Sequence, residues 1–351
     1  MNKRITQRDI AREAKVSHVA VSLALRGHPS ISQSTQKRIR DIATSMGYVP
    51  DPMLSALASY RKMQRPTAYQ ANIAWINNFS IPKHLYNGDF GEYYKGVIAR
   101  SHELGFLLEE YQIKDVGQDW KYLKRLLHDK GVKALVLAPS AIPNRRFEMD
   151  LSEFTAVRLG YSYAYPPVNT VVNNQFGSVA VCMTQLLQRG YQRIGLILDS
   201  DVEARTQSRF YGGYVACQQA LPKKNHIAPL LLPVDKDPRP SIKLWVQKNR
   251  VDCIISFRRH ERHRQLLEVG LKIPEAVGYA DLSLLEDETH LCGVCQNARQ
   301  VGTFAIDLIV SMLHHQQTGI PKACVNMLAD GYWIEGNTTR LIQNPPPRSE
   351  F

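Results

Sequence analysis

From Ile5 to Met46 the apolar positions recur at helical spacing in three short runs, each opened by a side chain suited to capping. Thr6, with Asp9 three residues on, has the reciprocal spacing of a helix start, and Ile10, Ala11 and Ala14 then share one face. Lys15-Val16 reads as a tight turn. Ser17 caps a second helix, His18 to about Leu25, with Val21, Ala24 and Leu25 inward. Arg26-Gly27-His28-Pro29 stops it, because Gly frees the backbone and Pro denies the next donor. Ser32 opens a third helix on Ile39, Ile42, Ala43 and Met46, ended by Gly47. Two short helices joined by a brief turn and braced by a third predict a helix-turn-helix. Asp51-Pro52 then starts a helical run, Met53 to Tyr60, too short to be stable alone in water, and Arg61 to Pro66 closes a linker.

From Ala71 the pattern changes to short apolar strands alternating with amphipathic helices. Strands are expected at Ile73–Ile76, Phe106–Leu108, Ala134–Ala138, Val157–Gly160, Thr170–Asn173, Arg193–Leu198, Leu230–Leu232, Cys253–Ile255 and Ala276–Tyr279. Helices are expected around Phe90–Leu104, Trp120–His128, Phe176–Arg189, Tyr214–Leu221 and Val301–Leu313. Such alternation predicts parallel sheets covered on both faces, and a stretch this long suits two lobes with a ligand cleft between them. The fold class is therefore an α/β core of two lobes with parallel sheets, preceded by an all-α headpiece. The expected domains are 1–50 (headpiece), 51–66 (hinge and linker), 67–344 (core) and 345–351 (tail).

Charge sharpens this picture. The chain has 351 residues, 44 Lys and Arg against 32 Asp and Glu, and a net charge of +12. About +8 of that falls before Pro66, concentrated as a phosphate-binding stripe should be. No stretch approaches the ~20 apolar residues of a membrane span, and no apolar h-region follows the first basic residues. Six scattered cysteines without an export signal suit a reduced, cytoplasmic protein. Cys292-Gly-Val-Cys295, with His290 nearby, has metal-like spacing but no second ligand pair, so buried cysteines are the simpler reading and no metal or cofactor is expected. His314-His315 falls on a polar helix face. The chain has no G-x-G-x-x-G, P-loop or G-x-S-x-G, so an enzyme reading lacks a motif.

Asp9-Ile10-Ala11-Arg12-Glu13-Ala14-x-Val16-Ser17, Val21-Ser22, Ile31-Ser32-x-x-Thr35 and Gly47-Tyr48-x-Pro50 resemble the headpiece of the LacI/GalR (lac-repressor-like) family of bacterial transcriptional regulators. Fainter matches follow in the core: Asn173 with Gly177, Leu186-Leu187-x-x-Gly190-Tyr191-x-Arg193-Ile194, and Gly270-Leu271-x-Ile273-Pro274 before Gly278-Tyr279. The resemblance implies a periplasmic-binding-protein-like core crossed three times by the chain. One lobe would take about 67–168 and 297–328, the other about 169–296 and 329–344. It also implies a hinge helix that orders over the DNA minor groove, with Leu57 as the wedge (Leu54 is the rival). DNA contacts fall on Thr6, Ser17, His18, Val19, Ser22, Leu23, Arg26, Thr35 and Leu57, and effector contacts on Asn77, Arg209, Asp281 and Gln296.

The departures from the pattern are informative. Leu23 stands where relatives often carry Arg, and Arg26 where many carry Asn. Val and Leu can touch only thymine methyls, which leaves His18 as the best polar reader and predicts a different operator. In the core, Phe257-Arg258-Arg259-His260-Glu261-Arg262-His263-Arg264 replaces the usual Asn-Asp, and Asp281 lies one place late. A pocket richer in cations suits a sugar phosphate or sugar acid over a neutral sugar. The expected protein is a homodimeric regulator, a repressor by preference, with double-stranded DNA and a small-molecule effector as partners and no membrane. The helix Val301–Leu313 could serve the dimer surface or its own lobe. The alternatives are an effector-independent DNA-binding regulator and a small-molecule-binding or metabolic α/β protein.

Overall fold

The computed structural model describes residues 5–25, 30–48, 71–77, 88–113 and 119–341. The expected hinge helix, with Leu54 and Leu57, lies outside them, as do Arg26 and the tail. The chain divides into two units, Met1–Thr67 and Ala68–Phe351.

The first unit holds α1 (Gln7–Ala14), α2 (His18–Leu25) and α3 (Gln33–Ser45). Each start is set by a side chain that satisfies an orphan backbone donor. The Asp9 N–H donates to Thr6 Oγ1 at 3.4 Å, while the Thr6 N–H donates to Asp9 Oδ2 at 2.9 Å. Ser17 Oγ accepts from the Ala20 N–H at 3.1 Å, and Ser32 Oγ from the Thr35 N–H at 3.3 Å. Lys15 takes a left-handed conformation, φ 51°, and Val16 N–H returns to the Ala11 carbonyl, so the chain turns sharply into α2. Ile10, Ala11, Ala14, Val21, Ala24, Ile39 and Ala43 form the small core, with Leu25, Ile42 and Met46 at its margin.

Among the described residues, the second unit contains two six-stranded sheets and a two-stranded pair. Its strands are β1 (Asn72–Asn77), β2 (Leu107–Gln112), β3 (Val132–Leu137), β4 (Arg145–Arg146), β5 (Thr155–Leu159), β6 (Tyr163–Tyr165), β7 (Asn169–Asn173), β8 (Ile194–Asp199), β9 (Leu230–Leu232), β10 (Cys253–Ser256), β11 (Gly278–Leu284), β12 (Cys292–Cys295), β13 (Asn326–Ala329) and β14 (Tyr332–Ile334). Its helices are α4 (Gly88–Glu103), α5 (Trp120–Asp129), α6 (Gln175–Gln188), α7 (Ser200–Arg205), α8 (Arg209–Gln218), α9 (Arg239–Asn249), α10 (Arg259–Glu268) and α11 (Ala298–His314). The first sheet runs β13-β7-β5-β3-β1-β2, all parallel; the second runs β14-β12-β11-β10-β8-β9, parallel except for β14 against β12.

Period-two alternation feeds a core on each face of each sheet. Ile73 and Trp75 join Tyr93, Tyr94 and Val301 on one face, while Ala74 and Ile76 join Leu123 and Leu127 on the other. In the second sheet Leu196 and Leu198 face α6 and α8, whereas Ile197 and Ile254 face Ile242 and Leu266.

Two expected boundaries shift. Asn169–Asn173 belongs to the first sheet, so the passage between lobes follows Asn173 and not residue 168. The strand expected at Ala276–Tyr279 begins at Gly278 and continues to Leu284. Ala276 and Val277 instead return their N–H groups to the Lys272 carbonyl. Cys292 and Cys295 lie in one strand three residues apart, which puts their side chains on opposite faces and prevents shared ligation. Val301, Ala305, Ile306, Ile309 and Met312 of α11 are buried within their own lobe, which accounts for the apolar face of that helix without a second copy.

α4 and α11 cross where both lack side chains. A Cβ at Gly96 would lie 2.0 Å from the Arg299 carbonyl oxygen, and one at Gly302 would lie 2.2 Å from that of Tyr93. These obstacles are backbone and cannot swing aside. Gly96→Ala gains ~1 kcal/mol of helix propensity but must push the helices apart, so we expect a net loss of about 2 kcal/mol. Urea unfolding of the purified variant checks this.

Candidate functional site

Two surfaces carry the candidate residues, one in each unit. In the headpiece, Ser17 and His18 are exposed at the start of α2, and Val19 is 64% exposed although apolar. Ser22 and Leu23 follow on the same short helix, half-buried. Thr6 and Thr35 sit at the starts of α1 and α3. The Thr6 hydroxyl donates to Asp9 Oδ2 at 2.7 Å, and the Thr35 hydroxyl lies 2.9 Å from Ser32 Oγ. Backbone N–H groups at helix starts attract phosphate. Arg8, Arg12, Lys15, Lys37, Arg38 and Arg40 are all exposed. Arg12 pairs only loosely with Asp9, at 3.8 Å with its side chain 83% exposed, so it remains available to an anion.

In the core, the carboxyl ends of the strands gather the second set, as the parallel topology requires. Asn77 ends β1, fully buried, and its amide donates to Glu110 Oε1 at 2.9 Å. Arg209 opens α8, with its guanidinium 3.9 Å above the ring of Tyr161, which follows β5 of the other lobe. Asp281 is buried in β11 with both oxygens occupied. Oδ2 accepts from the Arg259 N–H and the Tyr279 hydroxyl, each at 2.7 Å, and Oδ1 from Ser283 N–H and Oγ at 2.8 and 3.0 Å. Four bonds exhaust a carboxylate, so a ligand could reach Asp281 only by displacing one of them. Gln296 is buried after β12 and donates to the Leu282 carbonyl. Of the four, Arg209 is the one whose side chain reaches from one lobe onto the other.

The arginine run after β10 is spent on the chain's own carboxylates. Arg258 donates to Asp199 at 2.6 Å and to Asp201 at 3.1 Å. Arg262, 1% exposed, donates to the other oxygen of Asp199 at 2.8 Å and to Gln265 at 2.6 Å. Arg259 reaches from the second lobe to Asp89 at the start of α4 in the first, at 2.6 Å, with Glu288 at 3.2 Å. Burial pushes the Asp89 carboxyl up to about 6; Asp281 and Glu288 add to the rise, and Arg259 opposes it.

Sequence reasoning missed Asp89, Tyr93, Gln175 and Arg205. The Tyr93 hydroxyl and the Gln175 amide both donate to Asn173 Oδ1, at 3.2 and 3.1 Å. Among the described residues, Gln175 Oε1, Arg205 Nε and Arg209 Nε are buried without a hydrogen-bond partner. No local motif marks these positions. They meet only because α4, β7, α6 and the turn before α8 converge.

Residues 6–51 match the family model described as "Bacterial regulatory proteins, lacI family". The HTH-type transcriptional repressor PurR of Aliivibrio salmonicida is 21% identical over 329 residues, 89% of this chain and 94% of its own length. The HTH-type transcriptional repressor CytR of Escherichia coli is 21% identical over 348 residues, 90% of this chain and 91% of its own. Among solved structures, the Lac repressor bound to ONPG in its repressed state superposes with a TM-score of 0.56 at 17% identity, over 96% of this chain and 100% of that one. The headpiece thus matches the lacI family of bacterial regulatory proteins, and along about nine tenths of its length the chain is similar to the repressors PurR and CytR.

Proposed function

We propose that this chain is a sequence-specific DNA-binding transcriptional regulator, acting as a homodimeric repressor whose operator affinity is set by a small molecule between the lobes. It binds DNA and catalyses no reaction, working in the bacterial cytoplasm on nucleoid DNA. The observation that carries this is α2. It is an eight-residue helix braced by α1 and α3, and its Ser17-His18-Val19 start is turned to solvent amid exposed cations. His18 is the polar base reader, and Val19 and Leu23 meet thymine methyls. Thr6, Ser17, Ser22, Arg26 and Thr35 hold phosphates, and Leu57 is the hinge wedge.

The effector reading rests on the cleft. The run Arg258–Arg264 gives no support to an anionic ligand, because Arg258, Arg259 and Arg262 are internally neutralised. Support comes instead from the unpartnered Nε donors of Arg205 and Arg209. Guanidinium donors favour paired oxygens, and Tyr161 beneath Arg209 gives a flat wall. A sugar acid or sugar phosphate fits this better than a neutral sugar. In a thermal-shift panel, acidic sugars should raise the melting temperature more than neutral ones; a preference for neutral monosaccharides would refute this choice.

Operator binding is tested by offering the full-length protein a random duplex library. A shared near-palindromic sequence should be enriched, and its absence would sink the proposal. With six to ten phosphate contacts, affinity for the selected duplex should fall about 10³- to 10⁵-fold between 50 and 200 mM salt. A flat salt response would show that the exposed cations do not face the duplex.

A further inference from the structure

We propose that Arg259 is a tethered strut that closes the cleft between the lobes by itself, through its pair with Asp89. The backbone aims it there. Arg258 and Arg259 both take left-handed conformations, φ 86° and 47°, where non-glycine residues are strained. That turn sends consecutive side chains in different directions: Arg258 to Asp199 and Asp201 within its own lobe, and Arg259 across to Asp89. The left-handed turn is locked from below, since the Arg259 N–H donates to buried Asp281 and its carbonyl lies 3.2 Å from the Tyr279 hydroxyl, which it shares with Asp281. The guanidinium is held on its own side by the Ser283 carbonyl and Glu288. On the far side Gly88 leaves room, because a Cβ there would lie 3.0 Å from Arg259 Nη1. Both partners are largely buried, with side chains 18% and 20% exposed, so solvent screens the pair less than a surface pair.

The charged and titratable groups facing this pair are Glu288, Asp281, Tyr93 and Cys295, with His260 behind Glu288 at 3.4 Å. Asp89 has its carboxyl raised by burial to about 6, above its unfolded value, so the neutral acid is the better tolerated folded form. Folding therefore gains relative stability as pH falls through 6, while the ion pair itself is lost. The raised value belongs to the closed, buried site, so protonation favours the closed lobes over open ones that return Asp89 to water, and acidification should not widen the cleft.

The test is the distance between lobes in the full-length protein. Spin labels on p-acetylphenylalanine introduced at Tyr122 in α5 and Leu244 in α9, 46% and 67% exposed, report it in chains diluted with unlabelled protein. At pH 7.5 the parent should give one narrow distance distribution. Arg259→Gln and Asp89→Ala should each broaden it to longer distances, while the parent stays narrow at pH 5. If both variants keep the parent's narrow distribution, the proposal is overturned. Arg259→Lys, which keeps the cation beside Asp89, should stay narrow, and a melting curve for each variant separates an opened cleft from a poorly folded chain. The result is independent of whether the operator or effector readings hold.

Discussion

Val19→Asp is expected to weaken operator binding about 100-fold, ~2.7 kcal/mol, with no loss of thermal stability. Val19 is 64% exposed and takes no part in the headpiece core of Ile10, Val21 and Ile39. A carboxylate in the first turn of α2 even favours the helix, because it lies at the positive end of the macrodipole. Against duplex DNA the same charge meets phosphates and acceptor edges, and loses the apolar contact that a thymine methyl would make. Fluorescence anisotropy with the selected duplex, alongside a melting curve, separates the two effects. Equal affinity for parent and variant would place the reading surface elsewhere.

Asp199→Ala should be the most damaging single change in the core, costing about 3–5 kcal/mol. Asp199 ends β8 and accepts from Arg258 at 2.6 Å and from Arg262 at 2.8 Å. Removing it leaves the Arg262 guanidinium, 1% exposed, with Gln265 as its acceptor, and Arg258 with Asp201. A buried cation stripped of its counter-charge costs far more than the pair contributed. The double variant Asp199→Ala with Arg262→Met should recover much of the loss, since it removes the stranded charge at similar volume. Urea midpoints of the three proteins decide this. A single variant within 1 kcal/mol of the parent would mean that water reaches Arg262.

The headpiece was legible from residues close together in the chain. Thr6 with Asp9, Ser17 with Ala20 and Ser32 with Thr35 act across three positions, and the helices they open run where the pattern put them. The apolar strands that seed both sheets were legible for the same reason, because Ile73–Ile76 and Cys253–Ile255 are unbroken apolar runs of a few residues. The short strands β13 and β14 were missed. They are only four and three residues long, too short for a period to show, and each is fixed as a strand by β7 or β12 beside it.

The cleft was a different matter. The arginine run after β10 was plain in the sequence, and an anionic ligand was a reasonable expectation for it. Its charge is cancelled by Asp199, Asp201 and Asp89, which stand 57 to 170 positions away. Asp281 was visible as a carboxylate, but not the four bonds that use it up. Local capping and periodicity by themselves determined that this chain opens with three DNA-suited helices and continues as parallel α/β structure. The tertiary structure alone decided which charges remain available, because a charge is spent by what folding brings within about 3 Å, and that neighbour is set by how the lobes close.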